Sequence, residues 1–235
     1  MTGVPAVVIA AGIGSRLRPI TDRFAKPVLP IDGRPVIGAL LRELAAAGCS
    51  HATVVTGHLA GQIEALVGDG SAFGIEVRFA SQPERLGSAD AVVRAHETAP
   101  YLVTAADTLY GSGDVGRFVE AWRASGAAGA IAVRRLPGPG PGRTVVRAPG
   151  GVVERMLDDD PAGSLTAAPL WLVGVGVAPH VEALPGSQPF ELALAFQSAI
   201  DAGERVQAIE IGPTRDLTTP ADLVVENVPY LRGGA

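Results

Sequence analysis

Arg16 lies in the run Ala10-Ala11-Gly12-Ile13-Gly14-Ser15-Arg16-Leu17-Arg18-Pro19, and Lys26 follows it in Phe24-Ala25-Lys26-Pro27-Val28-Leu29-Pro30. Glycines let a backbone approach an anion closely and turn its amides toward it, and a guanidinium adds a bidentate phosphate donor. Lys26 is the single lysine among 19 basic residues. An ammonium is a compact point charge and a guanidinium a broad planar fork, so one lysine kept in an arginine-rich chain points to a need for the compact cation. Together these residues read as a phosphate site. Two familiar fingerprints fail here: position 17 is leucine where a dinucleotide loop wants its third glycine, and the Gly-Lys-Ser/Thr of a P-loop is absent.

Two carboxylates are candidate metal ligands. Asp107 follows a strand expected at 101–105, and Asp216 follows one expected at 206–211, so both can reach the carboxyl edge of a parallel sheet, where open α/β folds bind ligands. A pair of this kind suits Mg²⁺, which takes oxygen ligands and is held through one or two carboxylates plus substrate phosphates. His58 reads as a turn residue, while His51, His96 and His180 show no partner pattern. Trp122 and Trp171 read mainly as core residues.

The elements that must position these groups alternate in the first half of the chain between short β-branched runs and amphipathic helical patterns, the signature of a parallel sheet covered by helices. A buried strand is expected at 6–10. Pro35 then starts a helix whose Ile37, Leu40, Leu41 and Leu44 recur at helical spacing until Gly48. Strands at 53–56, 76–79, 101–105 and 130–135 alternate with helices at 59–67, 88–96 (capped by Ser88) and 115–125. Later, strands at 152–156, 170–177 and 206–211 flank a helix at 190–202, and Thr219 with Pro220 opens a last helix. Pro137-Gly138-Pro139-Gly140-Pro141-Gly142 reads as a surface loop.

A chain of 235 residues with 47% hydrophobic and 18% charged residues suits one folded domain, residues 1–235. A net charge of −5 with scattered arginines offers no basic field for nucleic acid, so a bound polyanion should be small and held locally. Cys49 is the one cysteine, which leaves no internal disulfide and no structural zinc site to expect. No stretch approaches the ~20 apolar residues of a membrane span, and the apolar start lacks the basic segment of a secretion signal. The chain reads as cytoplasmic.

Gly12-Ile13-Gly14-Ser15-Arg16-Leu17-Arg18-Pro19-Ile20-Thr21, with Lys26-Pro27-Val28-Leu29-Pro30 and Gly33-Arg34-Pro35, resembles the signature of the sugar-1-phosphate nucleotidylyltransferases. The resemblance continues through Val54-Val55-Thr56-Gly57-His58, Gln82-Pro83, Leu86-Gly87-Ser88-Ala89-Asp90-Ala91 and Asp216-Leu217-Thr218-Thr219-Pro220-Ala221-Asp222-Leu223, and so covers nearly the whole chain. It implies a single Rossmann-like α/β domain with a mixed, mostly parallel sheet flanked by helices, a nucleotide-binding part near 1–110 and an acceptor-binding part near 111–235. It also implies transfer of a nucleotide to a sugar phosphate with Mg²⁺ and release of pyrophosphate. Arg16 would hold the β and γ phosphates and Lys26 would bridge the α-phosphate and the acceptor phosphate. Ala11, Gly12, Gly14, Ser15, Gln82, Gly87 and Ser88 would bind the nucleotide, and Asp107 and Asp216 the metal.

A glutamine amide at Gln82 can pair with the imide edge of uracil or thymine, which favours UTP or dTTP, with GTP or CTP as alternatives. On the acceptor side the pattern breaks. Relatives carry Glu-Lys-Pro where this chain has Asp159-Asp160-Pro161, so a cation is replaced by an anion. Either Arg155 or another arginine would then contact the acceptor phosphate, beside Asp159, Asp160 and Trp171, or the acceptor is a cationic or amino-bearing phosphate; the acidic run also reads as a solvated turn. Two further readings stand next to this one: a non-catalytic nucleotide-sugar binding subunit, and a glycosyltransferase, which would want Asp-x-Asp where the chain has Ala105-Ala106-Asp107.

Overall fold

The computed structural model describes residues 3–135, 144–156 and 165–233. Strand β1 (Ala6–Ile9) is a continuous apolar run, with Val7 and Val8 buried against opposite faces, the pattern of a strand covered on both sides. Helix α1 (Val36–Ala46) follows, then β2 (Ala52–Thr56), α2 (Ala60–Val67), β3 (Val77–Ser81), α3 (Ser88–Arg94), β4 (Tyr101–Ala105), α4 (Asp114–Ser125) and β5 (Gly129–Arg135). The remainder supplies β6 (Leu165–Val173), α5 (Ala178–Glu182), α6 (Leu192–Asp201), β7 (Val206–Glu210), α7 (Pro220–Val225) and α8 (Val228–Leu231).

These strands form one sheet in the order β7-β5-β6-β4-β1-β2-β3. β1 pairs in parallel with β2 and β4, β2 with β3, and β7 with β5; β6 alone runs antiparallel to its neighbours β4 and β5. The fold is therefore a single α/β domain with a mostly parallel sheet, as the alternating pattern predicts. On one face Ile37, Leu40, Leu41 and Leu44 of α1 and Phe118 of α4 pack over Val8, Val54 and Leu102. On the other, Val92 of α3 and Phe196 of α6 cover Val7, Val55, Val103 and Ile131. Truncating a fully buried ring such as Phe118 to alanine should cost about 3–5 kcal/mol. Among the described residues no helix is long and apolar enough to cross a membrane.

Several boundaries depart from the sequence reading. β6 begins at Leu165 and ends at Val173, rather than spanning 170–177, and its register to β5 shifts between Ala167 and Trp171. Pro169, which lacks a ladder donor and so reads as a strand break, sits inside that shift. The strand expected at 152–156 contracts to Arg155–Met156, paired with Val146–Arg147. Ser88 is the first residue of α3 and Gly87 precedes it as the cap position; the serine hydroxyl instead accepts the Leu192 amide at the start of α6. Helix α8 was not anticipated. The Pro-Gly run at 137–142 lies outside the described residues.

Candidate active site

The loop after β1 turns at Gly14, whose φ of 61° lies in the left-handed region that favours glycine. A Cβ there would stand 2.9 Å from the Thr21 methyl and 3.3 Å from Lys26 Cβ, and Thr21 Oγ1 donates to the Gly14 carbonyl at 2.9 Å. Leu17 is buried beneath the loop while Arg16 stays exposed above it. The glycine loop and the lysine segment are thus packed against each other.

Lys26 is held from a second side by α2. Gln62 accepts the Ala25 amide at 2.8 Å and donates to the Arg23 carbonyl at 2.7 Å, and His58 Nε2 donates to the Thr21 carbonyl at 2.9 Å. Nothing in the residue pattern singles out Gln62, because its work is done through backbone groups far away in sequence. The Lys26 ammonium pairs with Asp107 Oδ2, and its side chain is only 13% exposed.

Asp107 and Asp216 are brought together by a short antiparallel ladder, Thr108–Leu109 with Arg215–Asp216, in which Asp216 lies opposite Thr108. Thr218 Oγ1 donates to Asp216 Oδ1 at 2.6 Å. The neighbouring Arg215 anchors this ladder through both oxygens of Asp32, at 2.5 and 3.1 Å, and through Glu226 at 2.5 Å. That guanidinium holds the Asp32 carboxyl below its ordinary value of 3.8. Asp222 accepts the Thr218 and Thr219 amides as part of a capping box on α7, which lowers its pKa as well and fixes the approach of Thr218 to the site.

Three cavities follow one another along the carboxyl edge of the sheet. The middle one, of about 370 Å³, is lined by Gly12, Gly14, Ser15, Arg16, Lys26 and Asp107. On one side it shares Ile9, Gly12 and Arg85 with a cavity of about 560 Å³ that also includes Ala11, Gln82, Gly87 and Ser88. On the other it shares Arg16, Lys26, Asp107 and Thr218 with a cavity of about 320 Å³ that adds Arg134, Trp171 and Asp216. The two cations and Asp107 therefore stand at the junction of two compartments.

Residues 5–139 match the family model described as nucleotidyl transferase. The chain belongs to the nucleotidyl transferase family. It is 31% identical over 231 residues to a glucose-1-phosphate thymidylyltransferase of Streptomyces griseus, covering 94% of this chain and 64% of that protein. It is 36% identical over 108 residues to the N-acetylmuramate alpha-1-phosphate uridylyltransferase of Neisseria meningitidis serogroup B, covering 44% of this chain and 47% of that protein. Among solved structures, an apo UDP-glucose pyrophosphorylase superposes with a TM-score of 0.83 at 17% identity, over 99% of this chain and 100% of that one, which is a likeness of fold. The chain spans less than two thirds of the length of the curated relatives it matches.

Ala11, Gly12, Gly14, Ser15, Arg16, Lys26, Gln82, Gly87, Ser88, Asp107, Asp216 and Trp171 all line the three joined cavities. Gly87 has a φ of 111°, and a Cβ on it would meet the Phe190 carbonyl oxygen at 2.2 Å. Gln82 is buried, and its amide nitrogen donates both to the Gly87 carbonyl at 2.9 Å and to Asp90 Oδ2 at 2.7 Å. Both acceptors demand the NH₂ end of the amide, so Oε1 is the atom that remains for a ligand. Ser88 is engaged by Glu191 at 2.7 Å and by the Leu192 amide at 2.8 Å.

Arg155 is exposed on its short strand and is not among the residues that line these three cavities. Trp171 is both core and lining: its ring meets Phe196 edge-on at 4.9 Å. Asp159 and Asp160 lie outside the described residues. The histidines have partners that the sequence did not signal, His51 with Glu97 and His180 with Ser198, each at 2.9 Å. Arg85, Arg134 and Thr218 line the cavities without having been picked out beforehand.

Two carboxylates and nearby hydroxyls form an all-oxygen donor set, and among the described residues no group of three or more His, Cys, Asp or Glu side chains could hold a metal ion. A hard cation that keeps most of its ligands as waters and substrate oxygens fits such a set.

Proposed function

We propose that the chain joins a nucleoside triphosphate to a sugar 1-phosphate or similar phosphorylated acceptor and releases pyrophosphate. The observation that carries this reading is the meeting of two cavities at Arg16, Lys26 and Asp107. Residues near 1–110 would take the nucleotide and those near 111–235 the acceptor.

In such a transfer an acceptor phosphate oxygen attacks the α-phosphorus in line as pyrophosphate leaves. A phosphate monoester has its second pKa near ~6, so the nucleophile is largely ionised at neutral pH and needs no general base. The task left to the protein is to bring two polyanions together and stabilise the charge that develops. Arg16, exposed on the glycine loop, would hold the leaving phosphates. Lys26 would bridge the α-phosphate and the acceptor phosphate. One such contact near ~4 Å is worth ~4 kcal/mol at an effective dielectric near ~20, which corresponds to about a thousandfold in rate.

Asp107 and Asp216 would hold Mg²⁺. When bound, that ion supplies positive charge to the phosphate oxygens. The base would lie against Ala11, Gly12, Gln82 and Gly87, with Gln82 Oε1 accepting from the imide N–H of uracil or thymine, which favours UTP or dTTP. The two relatives, a thymidylyltransferase and a uridylyltransferase, support the same preference.

A pyrophosphate-release assay across the common triphosphates and a panel of sugar 1-phosphates, aminosugar phosphates and phosphocholine tests the reading. Release is expected with a pyrimidine triphosphate and a sugar 1-phosphate. Tight nucleotide binding with no release for any pair would instead make the chain a nucleotide-sugar binding subunit.

A further inference from the structure

We infer that Arg134 is the ligand for the acceptor's phosphate in this chain, taking over from β5 the role of the lysine that position 160 lacks. The inference rests on the transfer reaction proposed above.

Arg134 stands next to the end of β5, opposite Thr166 of β6, and lines the same cavity as Arg16, Lys26 and Asp216. Its Nη1 donates to Thr214 Oγ1, which fixes the plane of the guanidinium. Its Nε, by contrast, is buried with no hydrogen-bond partner, and among the described residues it is the one side-chain nitrogen or oxygen in that condition. A buried donor left without an acceptor is costly and calls for an explanation.

The explanation lies in guanidinium geometry. Nε–H and the adjacent Nη2–H share one edge and are spaced to meet two oxygens of a phosphate or carboxylate at once. Nη1 is engaged by Thr214, while the Nε–H of the other edge has no protein partner and can meet a ligand oxygen. The charges in the cavity agree. Lys26 is paired with Asp107, whereas Arg134 makes no ion pair among the described residues.

The neighbouring strand lines the same cavity with small residues, Ala167 and Ala168 beside Pro169. This is the irregular part of β6, and Tyr110 pins it by donating to the Pro169 carbonyl at 2.7 Å. The occupant should be the phosphate rather than a carboxylate elsewhere on the acceptor, because Arg134 shares its cavity with Lys26, where the reacting phosphate must lie. A cation on a sheet strand then replaces one carried on a segment that this sequence has made acidic, Asp158-Asp159-Asp160.

The test is steady-state pyrophosphate release by the parent, Arg134→Gln and Arg134→Lys, with a neutral hexose 1-phosphate and with a uronic acid 1-phosphate. The acceptor KM should rise about ten- to a hundredfold in Arg134→Gln with both acceptors, while the triphosphate KM stays close to the parent's. Arg134→Lys keeps the charge but loses the fork, and should recover only part of the loss. Should Arg134→Gln fail to fold, the Arg134→Lys acceptor KM decides. An unchanged acceptor KM in the folded variants would overturn the inference while leaving the transfer reaction intact, as would a loss confined to the uronic acid. A parent that releases no pyrophosphate with any pair removes the transfer reading, and this inference with it.

Discussion

The Lys26 ammonium donates to Asp107 Oδ2, joining two candidate phosphate and metal ligands that lie 81 residues apart in sequence. The one lysine of the chain is held by a carboxylate, and that carboxylate is held by the lysine. A metal ion at Asp107 and a phosphate at Lys26 each relieve the other's partner, so the two binding events should favour one another. Asp107→Asn and Asp216→Asn are expected to lower Mg²⁺-dependent turnover by orders of magnitude. Asp107→Asn should also loosen triphosphate binding less when Mg²⁺ is withheld. Near-normal activity in either variant would remove that residue from the metal site.

Gln62 lines none of the three joined cavities, yet it holds the backbone on both sides of Phe24, just before Lys26, through the Ala25 amide and the Arg23 carbonyl. Gln62→Ala should reduce kcat about tenfold while costing stability only ~1 kcal/mol, because the loop that aims Lys26 loses two hydrogen bonds at its solvent side. Gln62→Glu keeps the acceptor for Ala25 but not the donor for Arg23, and should fall between the two. A kcat for Gln62→Ala equal to the parent's would show that the lysine needs no support from α2.

Gln82 offers only its carbonyl oxygen, since Gly87 and Asp90 take the amide hydrogens. Gln82→Leu should raise KM for the preferred triphosphate about tenfold and narrow the preference among bases, with the acceptor KM unchanged. Competition assays with all common triphosphates check this; an unaltered order of preference would place base recognition elsewhere.

Arg215 lowers the pKa of Asp32 from its ordinary value of 3.8 by hydrogen bonding to the ionised carboxylate. A depressed native pKa means that the stabilisation is fully present above 3.8 and is lost as the pH falls from that value through the native one. Asp222, also depressed, adds to the same acid limb. Both groups are close to solvent, so the effect should be modest. Melting temperatures measured from about pH 7 down to about pH 2.5 should fall less steeply below 3.8 in Asp32→Asn than in the parent, from a lower starting value at neutral pH. Parallel curves would remove the ion pair from the acid transition.

Much of this architecture was legible in the residues because it depends on local pattern. Val7 and Val8 announce a doubly covered strand, Ile37 to Leu44 announce α1, and the glycine loop with Arg16 and Lys26 announces a phosphate site. What escaped depends on contacts between distant segments. The strand expected at 170–177 instead starts at Leu165 and passes Pro169 through a shifted register, and only the folded sheet reveals that Arg134 shares a cavity with Lys26. Arg155 lies on a short strand paired with Val146–Arg147, a contact that the residue pattern near 152–156 does not announce. Ser88 looked like a cap for its own helix, and its hydroxyl serves α6 instead.

The central claim is that attack falls on the α-phosphorus at Lys26, and the fate of label tests it most directly. The parent, given α-labelled or γ-labelled pyrimidine triphosphate with a sugar 1-phosphate and Mg²⁺, should send the α label into the sugar conjugate and the γ label into pyrophosphate. Lys26→Ala and Lys26→Arg should both lose this transfer, the second because the guanidinium fork is larger and differently directed. Transfer of the γ label to the acceptor or to inorganic phosphate would contradict the account, and so would a Lys26→Arg variant that turns over like the parent.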